Sequence, residues 1–261
     1  KAYTVSGNYK QIKLYWADDD FCDGYQIQVY MSKKWKTLGY TTGTSYTATG
    51  SFKPNTTYKF RIRKYESVGS TKHYSNHVDS ISAKTSLATP SVTVVNSNGN
   101  NKLTWKKVSG ATSYKIYKTI VSNGYKYEYT TKSTSYLDKE VTAGVKYSYQ
   151  VEAIRESTFG KYTDCVSAKS AAKSYTALLK PAYSVSISSS ESKAQLAFNA
   201  YAGYALGQEN WGYQVYRATS KKGKYSCVAT KVGVSPYNTY YDAKVKAGKT
   251  YYYKVRMFGY I

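Results

Sequence analysis

Apolar and polar positions alternate with a period of two in short runs, and each run is bounded by Gly, Asn, Ser or Pro. The same runs return at fixed distances along the chain. Lys13-Leu14-Tyr15-Trp16 recurs as Lys102-Leu103-Thr104-Trp105. Nine residues after each Trp begin Tyr25-Gln26-Ile27-Gln28-Val29-Tyr30 and Tyr114-Lys115-Ile116-Tyr117. Thirty-three residues beyond each of those tyrosines begin Tyr58-Lys59-Phe60-Arg61-Ile62-Arg63 and Tyr147-Ser148-Tyr149-Gln150-Val151-Glu152. A third copy is more divergent: Leu196-Ala197-Phe198, Tyr213-Gln214-Val215-Tyr216-Arg217 and Tyr251-Tyr252-Tyr253-Lys254-Val255-Arg256. A turn precedes each late tyrosine, at Lys53–Thr57, Thr142–Lys146 and Lys246–Thr250. Period-two runs between turn residues predict short strands with one buried face. The inward set is Leu14, Trp16, Tyr25, Ile27, Val29, Phe60 and Ile62, with counterparts Leu103, Trp105, Tyr114, Ile116, Tyr149 and Val151, then Leu196, Phe198, Tyr213, Val215, Tyr253 and Val255.

A repeat of this length, with no long helical periodicity, predicts an all-β chain of three tandem antiparallel β-sandwiches. The expected units are residues 1–87, 88–175 and 176–261. Thr89-Pro90-Ser91 opens the second, Lys169–Ser174 reads as a linker, and Lys180-Pro181 opens the third. A last strand is expected from His73 to Lys84 in the first copy and from Tyr162 to Lys169 in the second. The third copy is expected to lack it, whether truncated, disordered or supplied by a neighbouring chain. Short linkers predict a semi-extended rod with limited bending.

An early Trp on the second strand, an aromatic-led third strand and a turn followed by Tyr resemble the fibronectin type III family, an immunoglobulin-like sandwich. The turn-Tyr element resembles the tyrosine corner, whose hydroxyl bonds upstream backbone. The resemblance implies that role for Tyr58, Tyr147 and Tyr251. Lys34–Leu38 and Lys222–Ser226 are similar to repeats of Gram-positive bacterial surface and secreted proteins, which implies an extracellular or cell-wall location. Such modules often serve as spacers, so fold does not name a ligand.

Composition sharpens this picture in two ways. Tyrosine, 33 residues against 6 Phe and 4 Trp, suits half-buried pleated surfaces. The net charge of +23 divides as +7, +7 and +9 over the three segments, so it is not a tail. It implies attraction to polyanions such as anionic wall polymers or nucleic acid, with solubilised sheet faces and edges as the plainer explanation. No recognised nucleic-acid module is present, which disfavours that partner. No apolar run reaches the roughly 18 residues of a membrane span. Lys1–Thr4 reads as the start of a mature or trimmed segment. Cys22, Cys165 and Cys227 stand at non-equivalent positions, which argues against a zinc site and a disulfide framework.

Candidate chemistry is sparse. No nucleophile signature, phosphate loop or converging carboxylate pair is evident, so neither enzyme activity nor a cofactor is expected. Asp18, Asp19, Asp20 and Asp23 form an acidic loop that Glu66 and His73 could approach. Oxygen-rich loops suit calcium, although the spacing does not fit an EF-hand. A solvated turn with internal lysine partners is the alternative. His73 and His77 would lie roughly 13 Å apart on a strand rising about 3.3 Å per residue, which separates them as metal ligands. Trp35, and Trp211 with its long preceding loop from Gly203, are candidate glycan platforms, unless each ring covers its own sandwich. The expected function is a non-catalytic array, mostly monomeric, that binds a surface protein, a glycan or an anionic wall polymer. The alternative is a carbohydrate-binding accessory region of a larger secreted enzyme.

Overall fold

The computed structural model describes residues 1–19, 21–156, 163–190, 192–200 and 211–259. Asp20, Tyr162 and the 203–210 loop lie outside the described residues. Among those described there is no helix, and hence none long and apolar enough to cross a membrane.

The first unit contains β1 (Ala2–Thr4), β2 (Gln11–Tyr15), β3 (Gly24–Met31), β4 (Lys34–Thr41), β5 (Ser45–Thr49), β6 (Thr57–Val68), β7 (Thr71–Tyr74) and β8 (Ile81–Lys84). One sheet runs β1-β2-β5 and the other β4-β3-β6, with β7 and β8 pairing opposite ends of β6. The second unit repeats this order: β9 (Val92–Ser97), β10 (Asn100–Trp105), β11 (Ser113–Ile120), β12 (Lys126–Thr131), β13 (Ser135–Asp138), β14 (Lys146–Glu156), β15 (Thr163–Val166) and β16 (Lys173–Thr176). Its sheets are β9-β10-β13 and β12-β11-β14, with β15 and β16 on β14. The third has β17 (Tyr183–Ser190), β18 (Lys193–Asn199), β19 (Trp211–Ala218), β20 (Ser226–Val232), β21 (Tyr237–Asp242) and β22 (Tyr252–Gly259). Its sheets are β17-β18-β21 and β20-β19-β22; among the described residues β22 pairs only β19.

Alternation is the cause of this order. Along β14, from Lys146 to Glu156, every second side chain is buried, which is the signature of a strand with one core face. The three cores share no residue: one is built on Ile12, Leu14, Ile27 and Phe60, the next on Leu103, Ile116, Tyr149 and Val151, the last on Leu196, Phe198, Tyr213 and Val215. The same edge-to-face aromatic pair seats each sandwich: Trp16–Tyr25 and Trp105–Tyr114 at 5.3 Å, Phe198–Tyr213 at 4.8 Å. Asn98-Gly99, both at positive φ, makes the two-residue hairpin between β9 and β10, the turn whose twist matches paired strands.

Three sequence expectations change. Lys169–Ser174 is not a linker: Ser170 N–H donates to Val151 O (2.8 Å), and Lys173–Thr176 forms β16 on β14. The backbone of β14 needs edge partners whatever the side chains are, so a polar stretch can still pair. Leu87, expected to close the first unit, belongs to the second core. Trp211 begins strand β19 opposite Gly259 and does not sit in a loop.

Candidate functional site

In each unit the hydroxyl of the turn tyrosine accepts a backbone N–H five residues upstream. Lys53 donates to Tyr58 at 2.8 Å, Thr142 to Tyr147 at 2.9 Å and Lys246 to Tyr251 at 3.2 Å. These bonds hold the crossing from one sheet to the other. Tyr58→Phe leaves the Lys53 N–H without that acceptor, and it is expected to cost about 1 kcal/mol in chemical unfolding. The longer, exposed Tyr251 bond should cost less.

The acidic loop before β3 is tied to its own sheet. Asp19 Oδ2 pairs with Lys64 Nζ at 2.9 Å, and its Oδ1 accepts the Phe21 N–H at 3.2 Å. The Lys64 bond, then the Phe21 N–H, hold the Asp19 carboxyl below its ordinary range. Asp23 Oδ2 accepts the Ser67 N–H at 2.6 Å, and Asp18 Oδ1 accepts the Asp19 N–H at 3.0 Å. Asp18, Asp19 and Asp23 thus each accept from a donor within the first unit, and of these three only Asp19 has a lysine partner among the described residues. Among the described residues no group of three or more His, Cys, Asp or Glu is placed to hold a metal ion. Glu66 and His73 face each other across β6 and β7. His77 lies beyond β7, half-buried, with Nε2 buried and unpartnered. Burial first, then the charges of Arg61 and Arg63, lower its pKa.

The two candidate tryptophans part company. Trp211 is only 4% exposed, so it offers no open ring face, and the platform expected from its loop-like flank is corrected. Trp35 is half-buried on the outer face of β4, with Tyr30 edge-on at 5.3 Å and the Arg61 guanidinium 4.3 Å above its ring. Arg63 lies 3.8 Å over Tyr74, and Lys72 lies 3.5 Å over Tyr65. Sequence reading passed over this ladder, although the alternation Phe60-Arg61-Ile62-Arg63 already places both arginines on the outer face.

A second unforeseen feature lies at the first junction. Asn55, at φ 50°, bonds Ser86 O through its backbone N–H (2.8 Å), Ser109 Oγ through Nδ2 (3.3 Å) and Arg155 Nη1 through Oδ1 (2.9 Å). Gly7 N–H and Ser86 Oγ both donate to Val166 O, at 2.8 and 2.6 Å. Gly110, at φ +80°, lets Asn55 approach so closely that a Cβ there would meet its amide at 2.4 Å.

No family model matches the chain. A stretch of 71 residues, 26% of the chain, is 38% identical to an amylopullulanase of Thermoanaerobacterium thermosulfurigenes, and it spans 4% of that protein's length. Structural comparison finds a two-domain fibronectin type III segment of chicken tenascin, with 14% identity, TM-score 0.36, 67% of this chain and 97% of that one. The FN1–FN3 domains of chicken CNTN1 align over 99% of this chain and 92% of theirs, with 14% identity and TM-score 0.32. The chicken interferon gamma receptor alpha chain aligns over 69% and 99%, with 14% identity and TM-score 0.34.

Proposed function

We propose that the chain is a non-catalytic binding and spacer array of fibronectin type III-like sandwiches in a secreted or cell-surface protein. The observation that supports this most directly is the first junction. Asn55 of the first unit bonds Ser109 and the β14 residue Arg155, and Gly7 and Ser86 bond Val166 at the end of β15, so the two units are cross-bonded. Such cross-bonding restrains hinge motion, which a spacer needs and a flexible tether does not. A molecule built this way holds its outer sheet faces in fixed relation.

NMR relaxation on the whole chain tests it. The first and second units are expected to tumble as one body, and Asn55→Ala with Arg155→Ala should separate their correlation times. Independent tumbling in the unaltered protein would overturn the proposal, as would release of reducing ends from pullulan.

A second reading is favoured by the amylopullulanase match: an accessory region that holds carbohydrate for a larger secreted enzyme. It predicts retardation of the chain in a pullulan-containing gel, relieved by Trp35→Ala. Unretarded migration would remove it.

A further inference from the structure

We propose that the outer face of the β4-β3-β6-β7 sheet in the first unit binds a phosphate-bearing sugar or polyol polymer, through Arg61 and Arg63. This deepens the binding-array reading and rests on it.

The geometry of the two arginines is the starting point. They lie two residues apart on β6, so both project from one face, about 6.6 Å apart along the strand. Each is held at two points. Arg61 Nε donates to Gln28 Oε1 at 2.9 Å and stacks on Trp35; Arg63 Nε donates to Gln26 Oε1 at 2.7 Å and stacks on Tyr74. A guanidinium carries five N–H donors, and these bonds use one of them on each arginine. The Nη groups have no hydrogen-bond partner among the described residues. They are held in place before any ligand arrives, which lowers the ordering cost of binding.

The charge on this face is uncompensated. The described ion pairs, Lys64–Asp19, Lys115–Glu128, Lys118–Asp138 and Arg217–Asp242, all exclude these arginines. Lys72 adds a third cation on β7. The second unit shows what a merely soluble face looks like. In the same register, Gln150 and Glu152 stand where the first unit has Arg61 and Arg63. There Glu152 accepts from the Tyr117 hydroxyl at 2.7 Å and Glu128 pairs with Lys115. Solubility therefore does not require two adjacent arginines without an acid. His77 feels both of them, since their charges add to burial in lowering its pKa. An anion on the pair would relieve that.

The ring faces select among polyanions. Cations already cover Trp35, Tyr65 and Tyr74 on one face, and edge contacts hold Trp35 against Tyr30 and Tyr65 against Tyr74. Nucleic-acid platforms need open rings for base stacking. Here the rings seat the guanidiniums, and the Nη forks remain for bidentate contact with phosphate oxygens. Paired forks at short spacing suit phosphates repeating along a base-free polymer.

The test is binding of poly(glycerol phosphate) to the whole chain by calorimetry at several salt concentrations, with oligothymidylate as comparator. Arg61→Gln/Arg63→Gln is expected to weaken binding at least about tenfold and to reduce the slope of log affinity on log salt by about two. Lys115→Gln/Lys169→Gln removes the same charge from the second unit's face and should change affinity less than about twofold. Arg61→Lys/Arg63→Lys keeps the charge and loses the forks, so it should fall between them; it also serves if the glutamine variant does not fold. In NMR, the ring signals of His77 should shift on titration, while those of His73, on the opposite side of β7, stay. Equal losses in the two glutamine variants would overturn the proposal. So would tighter oligothymidylate binding lost with the same arginines. Tumbling of the first two units is read separately, so failure here leaves the spacer reading intact.

Discussion

Lys118→Met is expected to destabilise the second sandwich by about 3–5 kcal/mol, as read by calorimetry or urea unfolding. The lysine is 2% exposed and lies inside the core. Its Nζ is 2.8 Å from Asp138 Oδ2 and donates to Glu140 O at 2.5 Å. Asp138, with no exposure at all, also accepts the Tyr149 hydroxyl at 2.7 Å and the Glu140 N–H at 3.1 Å. Asn101 Nδ2 closes the network on Tyr149 at 2.9 Å. Burial raises the Tyr149 phenol far above its ordinary pKa, so it remains a donor. Methionine would replace the aliphatic stem but leave a buried carboxylate without its cation. That isolated charge, more than the lost attraction, is the source of the deficit.

The repeats themselves supply the control. At the same registers the first unit has Ile12, Val29, Ala48 and Phe60 where the second has Asn101, Lys118, Asp138 and Tyr149. Installing those four apolar residues together removes the charge and its partners at once. The fourfold variant is expected to be neutral within about 1–2 kcal/mol, or more stable. A fourfold variant as unstable as Lys118→Met would show that the network is needed for the fold and not only tolerated by it. The third unit keeps a version of it: Arg217 pairs with Asp242 at 2.8 Å, Tyr253 donates to Asp242 at 2.9 Å, and Lys244 O accepts from Arg217 at 3.0 Å.

Lys118 also shows where sequence reading stops. It falls in phase with Tyr114 and Ile116, the parity of the buried face, yet on this strand the inward set read from the sequence stops at Ile116 and does not include it. Its partner Asp138 lies twenty residues away, and no local pattern links them. Aromatic spacing fared differently. Trp16, Trp105 and Phe198 find Tyr25, Tyr114 and Tyr213 because both members sit at fixed points of neighbouring strands. Polar edge strands such as Lys173–Thr176 carry no hydrophobic signal, because what they supply is backbone. Of the candidate binding residues, Trp35 keeps a partly open position, but Arg61 occupies its ring. The long loop that drew notice to Trp211 says nothing of the ring itself, which the strand it opens carries inward.

Phe60→Ala is expected to cost about 3–5 kcal/mol and to split the unfolding of the chain into separate steps. Phe60 is fully buried on β6, opposite Val29 and Ile81, with the Phe52 ring 6.1 Å away. Its removal leaves a void between two sheets whose backbones are fixed by pairing on both sides of β6, so collapse is limited. A small unit has roughly 5–15 kcal/mol in total, so this loss is a large share of it. Because the three cores share no residue, the loss stays in the first unit. Among the described residues, hydrogen bonds through Asn55, Ser86, Gly7 and Ser6 connect it to the second, at about 1 kcal/mol each. The first transition should therefore move down sharply in a calorimetric scan, the second by a smaller amount, and the third not at all. A single cooperative transition that shifts as a whole would mean that the sandwiches fold as one body, and the account of three self-contained cores would fail.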